Sequence, residues 1–201
     1  MSQDSDDSSS SADSFGLTLS TVAWLQTMGI RNVLIGGQAV IQAGYLRTTE
    51  DVDLSVLGYT EEMQQILTRS DEVGLSPILD QPLVFATEHG ALPMVDRERG
   101  GRVDFTFDVS FYLETAYERA VKIRHGDVEL RTLHLNDLLI HKVLAARTRD
   151  HNDCVTLMRL RPNDVDHAEV ERWLAEFEAL TGPGLVRRHR GWRREALFAE
   201  T

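Results

Sequence analysis

Residues 34–56 read LIGGQAVIQAGYLRTTEDVDLSV. Gly36 and Gly37 follow an apolar run; thirteen residues later come Asp51 and Asp53, with Val52 between them. DVDLSVL alternates as a strand does, and in a strand residues two apart point to the same face. Two carboxylates so placed repel each other, and burial raises the cost. A divalent cation between them relieves it, and Mg²⁺ is the hard ion that takes carboxylate oxygens together with substrate phosphates. An ordinary solvent-facing strand edge would account for the D-x-D pair taken alone. The glycines narrow the choice. NVLIGG predicts a short buried strand ending in a glycine turn, and QAVIQAGYL a helix. Backbone without side chains can approach a phosphate closely, and the helix start offers free N–H groups to an anion.

Outward from this stretch, residues 1–14 (MSQDSDDSSSSADS) are Ser and Asp with almost nothing apolar, which predicts a disordered acidic tail. LTLSTVAWLQTMG, 17–29, has helical spacing and a glycine stop at Gly29. TEEMQQILTRSDEVG is an amphipathic helix. LVFATE, ALPMVD and GRVDFTFDVS are strand-like, with a turn at RERGG before the last. AVKIRHGDVELRTLHL predicts a hairpin turning at His125-Gly126-Asp127. Beyond this the pattern is helical. Asn136 is the expected N-cap of DLLIHKVLAAR. A helix follows over 150–160, then DVDHAEVERWLAEFEALTG, stopped at Gly182-Pro183-Gly184, and last LVRRHRGWRREALFAE. Mixed elements followed by helices predict an α+β fold: the tail 1–14, an α/β core 15–134 and a helical C-terminal part 135–201.

The 201 residues suit one domain with a substantial core. A net charge of −11 repels nucleic acid over the surface as a whole, leaving only a local basic patch to bind RNA. Cys154 is the single cysteine, so an internal disulfide and a Cys-rich zinc site are excluded, as suits a reducing cytoplasm. No apolar run approaches ~18 residues, and the first thirty residues lack a basic-then-apolar leader, so no membrane partner is expected. The 21 basic side chains are all arginine except Lys122 and Lys142. A GC-rich genome explains such a skew, yet it makes each lysine worth asking about.

RVDFTFDVS offers a third carboxylate. Asp104 and Asp108 are four apart and share a strand face, so either can join the first pair. Three acids on adjacent strands would hold one or two Mg²⁺ ions, which neutralise a triphosphate and activate a hydroxyl for in-line displacement. Gly-Gly, RTTEDVDL and RVDF together resemble the polymerase-β-type nucleotidyltransferase superfamily. The run Arg47, Thr49, Asp51, Asp53 is similar to the branch that holds the AbiEii-type toxins of toxin–antitoxin pairs. LLIHKVLAARTRDHNDCVTLM matches that branch's downstream helix with Lys142, Arg147, Arg149, Asp150 and Asp153.

The resemblance implies a small mixed sheet flanked by helices. It implies transfer of a nucleoside monophosphate from a nucleoside triphosphate to a hydroxyl, with Mg²⁺ or Mn²⁺. Gly36 and Gly37 would contact phosphates, and Arg47 and Thr49 would belong to the nucleotide site. Asp51, Asp53 and Asp104 would hold metal, with Asp104 also orienting or deprotonating the acceptor. Asp104 is preferred to Asp108 because the family's third acid follows a short apolar approach such as RVD. Lys142 would pair with the triphosphate, with Asp150 beside it. The implied partners are the nucleotide, a tRNA or protein acceptor, and an antitoxin protein.

Lys142 has support of its own: a compact ammonium acts as a point charge on phosphate, although a snorkelling lysine at a helix edge also fits. The seven histidines show no metal-ligand spacing. Cys154, in an apolar helix, reads as core. LVRRHRGWRR concentrates five arginines around Trp192, which suits RNA or a solvated face pairing with the acidic AEVERWLAEFEAL helix. Two rivals stand beside the macromolecular transferase: a non-catalytic nucleotide- or partner-binding module of the same fold, and a small-molecule transferase of the antibiotic-modifying kind.

Overall fold

The computed structural model describes residues 7–198, with side chains from residue 14 onward. The chain divides into two units: residues up to Gln38 with Arg47–Thr132, and Ala39–Leu46 with Leu133 onward. Part of the expected tail, residues 1–6, lies outside the described residues. Residues 7–14 are helical instead, as the start of α1 (Asp7–Thr27). Ser14 anchors that end: its hydroxyl donates to Thr49 O at 3.1 Å, and its carbonyl accepts from Thr18 Oγ1 at 2.9 Å. With one turn held, each further residue adds a hydrogen bond. The other end closes at Gly29, φ 70°, where Gly29 N donates to Gln26 O and Ile30 N to Leu25 O, a Schellman stop.

The first unit is built on a seven-stranded mixed sheet. Its strands are β1 (Asn32–Leu34), β2 (Asp51–Leu57), β3 (Leu75–Pro77), β4 (Ala91–Asp96), β5 (Arg102–Asp108), β6 (Val121–His125) and β7 (Val128–Thr132), in the spatial order β3-β4-β5-β2-β1-β7-β6. The central pair, β2 and β5, is parallel. β1 runs antiparallel to β2, and parallel to β7 through Leu34 and Thr132. Burial follows the sequence alternation: Val52, Leu54 and Val56 on β2 and Val103 and Phe105 on β5 are buried. α1 lies against β2 and β7, burying Leu17, Val22, Trp24 and Leu25. The hairpin turns where expected, with Gly126 at φ 59°.

Other expectations shift. LVFATE forms helix, not strand, within α4 (Pro82–His89), because Pro82 suits a first helical turn and Gly90, φ 63°, closes it. A short apolar run does not itself separate the two periods. The amphipathic helix divides into α3 (Thr60–Arg69) and a 3-10 turn, Ser70–Val73, closed by Gly74. α5 (Phe111–Glu118) was not foreseen; Ser110 caps it, accepting from Leu113 N. α2 (Gly36–Gln42) takes Gly36 and Gly37 as its first residues rather than following them.

The second unit holds α6 (Leu135–Ala145), α7 (Thr148–Leu160), α8 (His167–Thr181) and α9 (Leu185–Phe198). Asn136 is not the N-cap of α6; His134 is. Asn136 sits one residue inside the helix, buried, donating to Glu169 Oε2 at 2.7 Å and accepting from Asp166 N at 3.1 Å. A buried amide satisfied by tertiary partners has no need of a cap role. Asp166 caps α8 through Ala168 N and Glu169 N. Arg188 of α9 donates to Val143 O of α6 at 2.8 Å.

His189 of α9 is buried, its Nε2 3.3 Å from His167 Nδ1 and its Nδ1 3.6 Å from Glu171 Oε1. Burial, then the neighbouring His167, lowers its pKa to about 4 from 6.5; Glu171 opposes this, while Arg193 adds to it. The unfolded chain therefore binds the extra proton first, so stability is present above pH 6.5 and is lost as pH falls toward 4. Unfolding free energies measured across that window should fall by about 3 kcal/mol, and His189→Leu should flatten the slope.

Candidate functional site

The two halves of the opening motif meet in the first unit. Ile35 N donates to Asp53 O at 2.9 Å, bringing the end of β1 beside β2. Gly36 then turns at φ 63°. A Cβ there would stand 1.8 Å from Asp53 Oδ2 and 2.4 Å from Asp53 Cγ; on Gly37 it would stand 2.4 Å from Thr49 Oγ1 and 3.1 Å from Arg47 Nη2. No side chain fits such gaps, so the glycines are required by the R-x-T-x-D-x-D run folded against them. Thr49 is buried. Its carbonyl accepts from Ser14 Oγ, which in turn accepts from Gln38 Nε2 at 2.8 Å. Arg47 donates from Nη1 to Thr48 O.

The register of β2 on β5 decides the rest. Asp51 is opposite Arg102 and Asp53 opposite Asp104, so all four project on one face. Arg102, which sequence reading passed over, donates from Nε to Asp104 Oδ1 at 2.8 Å. Its guanidinium pKa is raised chiefly by that hydrogen bond; desolvation opposes it, and the charges of Asp104, Asp51 and Asp53 reinforce it. Alternation along R-V-D already put Arg102 beside Asp104, which was the available signal. Asp108 is opposite Leu57 and engaged otherwise: Oδ1 accepts from Ser110 N and Oδ2 from Ser110 Oγ, each at 2.7 Å.

Among the described residues, no three His, Cys, Asp or Glu side chains gather closely enough to hold a metal ion by themselves. The donor set still fits a hard cation of Mg²⁺ type, which keeps several waters and needs one or two carboxylates beside substrate phosphates. Asp51 is exposed and Asp53 half-buried, and Asp53 is held with bare backbone beside it.

The second unit contains Lys142 and Asp150. The Lys142 side chain is only 5% exposed, with Nζ 3.0 Å from Asp150 Oδ1 and 2.7 Å from Asp153 Oδ2. Arg147 reaches Asp150 Oδ2 through Nε at 2.8 Å and through its backbone N at 3.0 Å. Burial raises the Asp150 pKa, but the hydrogen bonds from Arg147 and Lys142 outweigh it and leave it below the usual carboxylate value. Cys154 is core as expected, and burial pushes its thiol pKa up.

Lys142→Ala removes the buried ammonium that Asp150 and Asp153 share and should cost about 3–5 kcal/mol in urea unfolding at pH 7. Asp150 has a depressed folded pKa, so its contribution is present above the unfolded value, about 3.9, and is lost as pH falls through the folded one. The gap between native and Lys142→Ala should accordingly narrow below pH 4.

Two comparisons bear on identity. The crystal structure of an antigenic nucleotidyltransferase-like protein from Paracoccidioides brasiliensis superposes with a TM-score of 0.53 at 18% identity, over 90% of this chain and 94% of that one, a likeness of fold. Among curated proteins nothing matches. The narrower AbiEii-type branch is carried by the sequence resemblance alone. Residues 23–176 match the family described as "Nucleotidyltransferase of unknown function (DUF6036)", and the chain belongs to that family.

Proposed function

We propose that the chain is a divalent-cation-dependent nucleotidyltransferase, moving a nucleoside monophosphate from a nucleoside triphosphate to a hydroxyl of an RNA (tRNA) or protein acceptor. In this reading it is a cytoplasmic toxin held in check by an antitoxin protein. The carrying observation is the seating of Asp53 against the bare backbone of Gly36, with Asp104 in register across β5.

Asp51 and Asp53 would hold Mg²⁺ or Mn²⁺, which when bound neutralises triphosphate charge and favours the ionised acceptor hydroxyl. Gly36 and Gly37 would offer backbone N–H groups to phosphate oxygens, their missing Cβ atoms leaving room for Asp53 and Thr49. Asp104 accepts the hydroxyl proton, and Arg102 fixes the orientation of its carboxylate. Arg47 and Thr49, packed against Gly37, set the wall of the nucleotide site. Lys142 and Asp150 belong to the reading through the resemblance. Their charges satisfy each other, so the part we assign them is to hold α6 to α7.

One observation favours the rival, a nucleotide-binding module without turnover: Arg102 already occupies Asp104. A transfer assay separates the two. The protein is incubated with each α-labelled nucleoside triphosphate, Mg²⁺, total tRNA and cell extract, beside Asp51→Ala/Asp53→Ala and Gly36→Ala. Label should enter RNA or protein with the native chain. It should fall at least about 100-fold in both variants, since metal contacts are worth several kcal/mol. Tight triphosphate binding by calorimetry with no label in any acceptor would establish the module instead.

A further inference from the structure

The second unit carries a basic cleft of about 770 Å³, lined by Arg187, Arg190, Arg193 and Arg194 with Glu171 and Leu197. Four arginines face one carboxylate, in a chain whose net charge is −11. Glu171 is taken by Arg190, whose Nε and Nη2 donate to its Oε2 at 3.0 and 2.6 Å. Arg187, Arg193 and Arg194 are exposed and form no ion pair among the described residues.

The acidic helix α8 forms no ion pair with them among the described residues. Glu169 is bound to Asn136, and Glu178 accepts from the backbone N–H groups of Gly184 and Val186. Of these arginines only Arg190 closes an ion pair between α8 and α9 among the described residues, while Arg187 and Arg193 feel the charges of Glu178 and Glu171 without bonding them.

The spacing is that of a track. Arg187 and Arg194 lie two turns apart on one side of α9, along about 10 Å of helix, with the paired Arg190 between them and Arg193 adjoining. One turn beyond Arg194 stands Phe198, 76% exposed, beside Leu197 at 61%. Guanidinium forks match phosphate oxygens bidentately, and an exposed ring is a platform for a base. An acidic peptide would use the forks but not the ring.

We propose that this cleft binds a single-stranded polynucleotide, its phosphates on Arg187, Arg193 and Arg194 and a base on Phe198. Its role as the acceptor's docking face rests on the transferase reading; the binding does not, and it is measured without nucleoside triphosphate or metal.

The test is fluorescence anisotropy with labelled RNA and DNA of one mixed sequence, about 16 nucleotides long, the upper end of a single-domain site. The native chain should bind, and binding should weaken about 20- to 50-fold between 50 and 200 mM salt, as for three or four phosphates on a single strand. Arg187→Glu/Arg194→Glu should weaken binding about tenfold and flatten the salt slope, and Phe198→Ala about fivefold or more. Polyglutamate at equal charge should not displace the strand. Arg187→Gln/Arg194→Gln, the milder pair, serves as the second variant where the reversal lowers the unfolding midpoint. Tighter binding of RNA than DNA would assign the strand as RNA, and equal binding would leave the phosphate-and-base track as the shared chemistry. No binding at 50 mM salt, binding indifferent to Arg187 and Arg194, or displacement by polyglutamate would overturn the proposal, the last in favour of an acidic protein segment.

Discussion

A carboxylate lying where a side chain on Gly36 would have to go is the constraint around which the first unit is arranged. It requires β1 to end beside β2, and the Ile35–Asp53 backbone bond holds it there. It also requires two residues without Cβ atoms, one at positive φ. The chain between Gly37 and Asp51 must then return so that Arg47 and Thr49 close over the second glycine. Thr49 is steadied from the far side by Ser14 and Gln38. Helix α1 thus does more than cover the sheet: its Ser14 supports the wall opposite the glycines.

Charge is handled differently in the two units. On the sheet, Arg102 lies among Asp51, Asp53 and Asp104 and is bonded to Asp104, on a face where Asp51 stays exposed. In the helical unit, Lys142, Asp150 and Asp153 are shut away from solvent, while Arg147, itself exposed, reaches Asp150. A buried group so balanced is expensive to break and serves register more than chemistry.

Much of this was legible in the chain itself. The strand at DVDLSVL, the hairpin around Gly126 and the helix ending at Gly29 follow from periodicity and turn chemistry that act over a few residues. LVFATE was misread because six residues do not separate a period of two from one of 3.6; Pro82 and Gly90 decide it from outside the run. Asn136 has the right chemistry for a cap, and only the approach of Glu169 and Asp166, some thirty residues on, gives it another use.

For the candidate site, the sequence by itself determined which residues carry charge, which lack side chains and which share a strand face, because those properties are local and periodic. It therefore pointed to Gly36, Gly37, Asp51 and Asp53, and left Asp104 and Asp108 both open until the resemblance favoured Asp104. Tertiary structure alone set where each of the two lies, because strand register is set by long-range pairing: Asp104 falls opposite Asp53, while Asp108 falls at the strand end beside Ser110. It alone disclosed Arg102 as the counterion, and it alone enclosed Lys142 between two aspartates. Which partner a charge meets depends on how distant segments are brought together, and no local pattern encodes that.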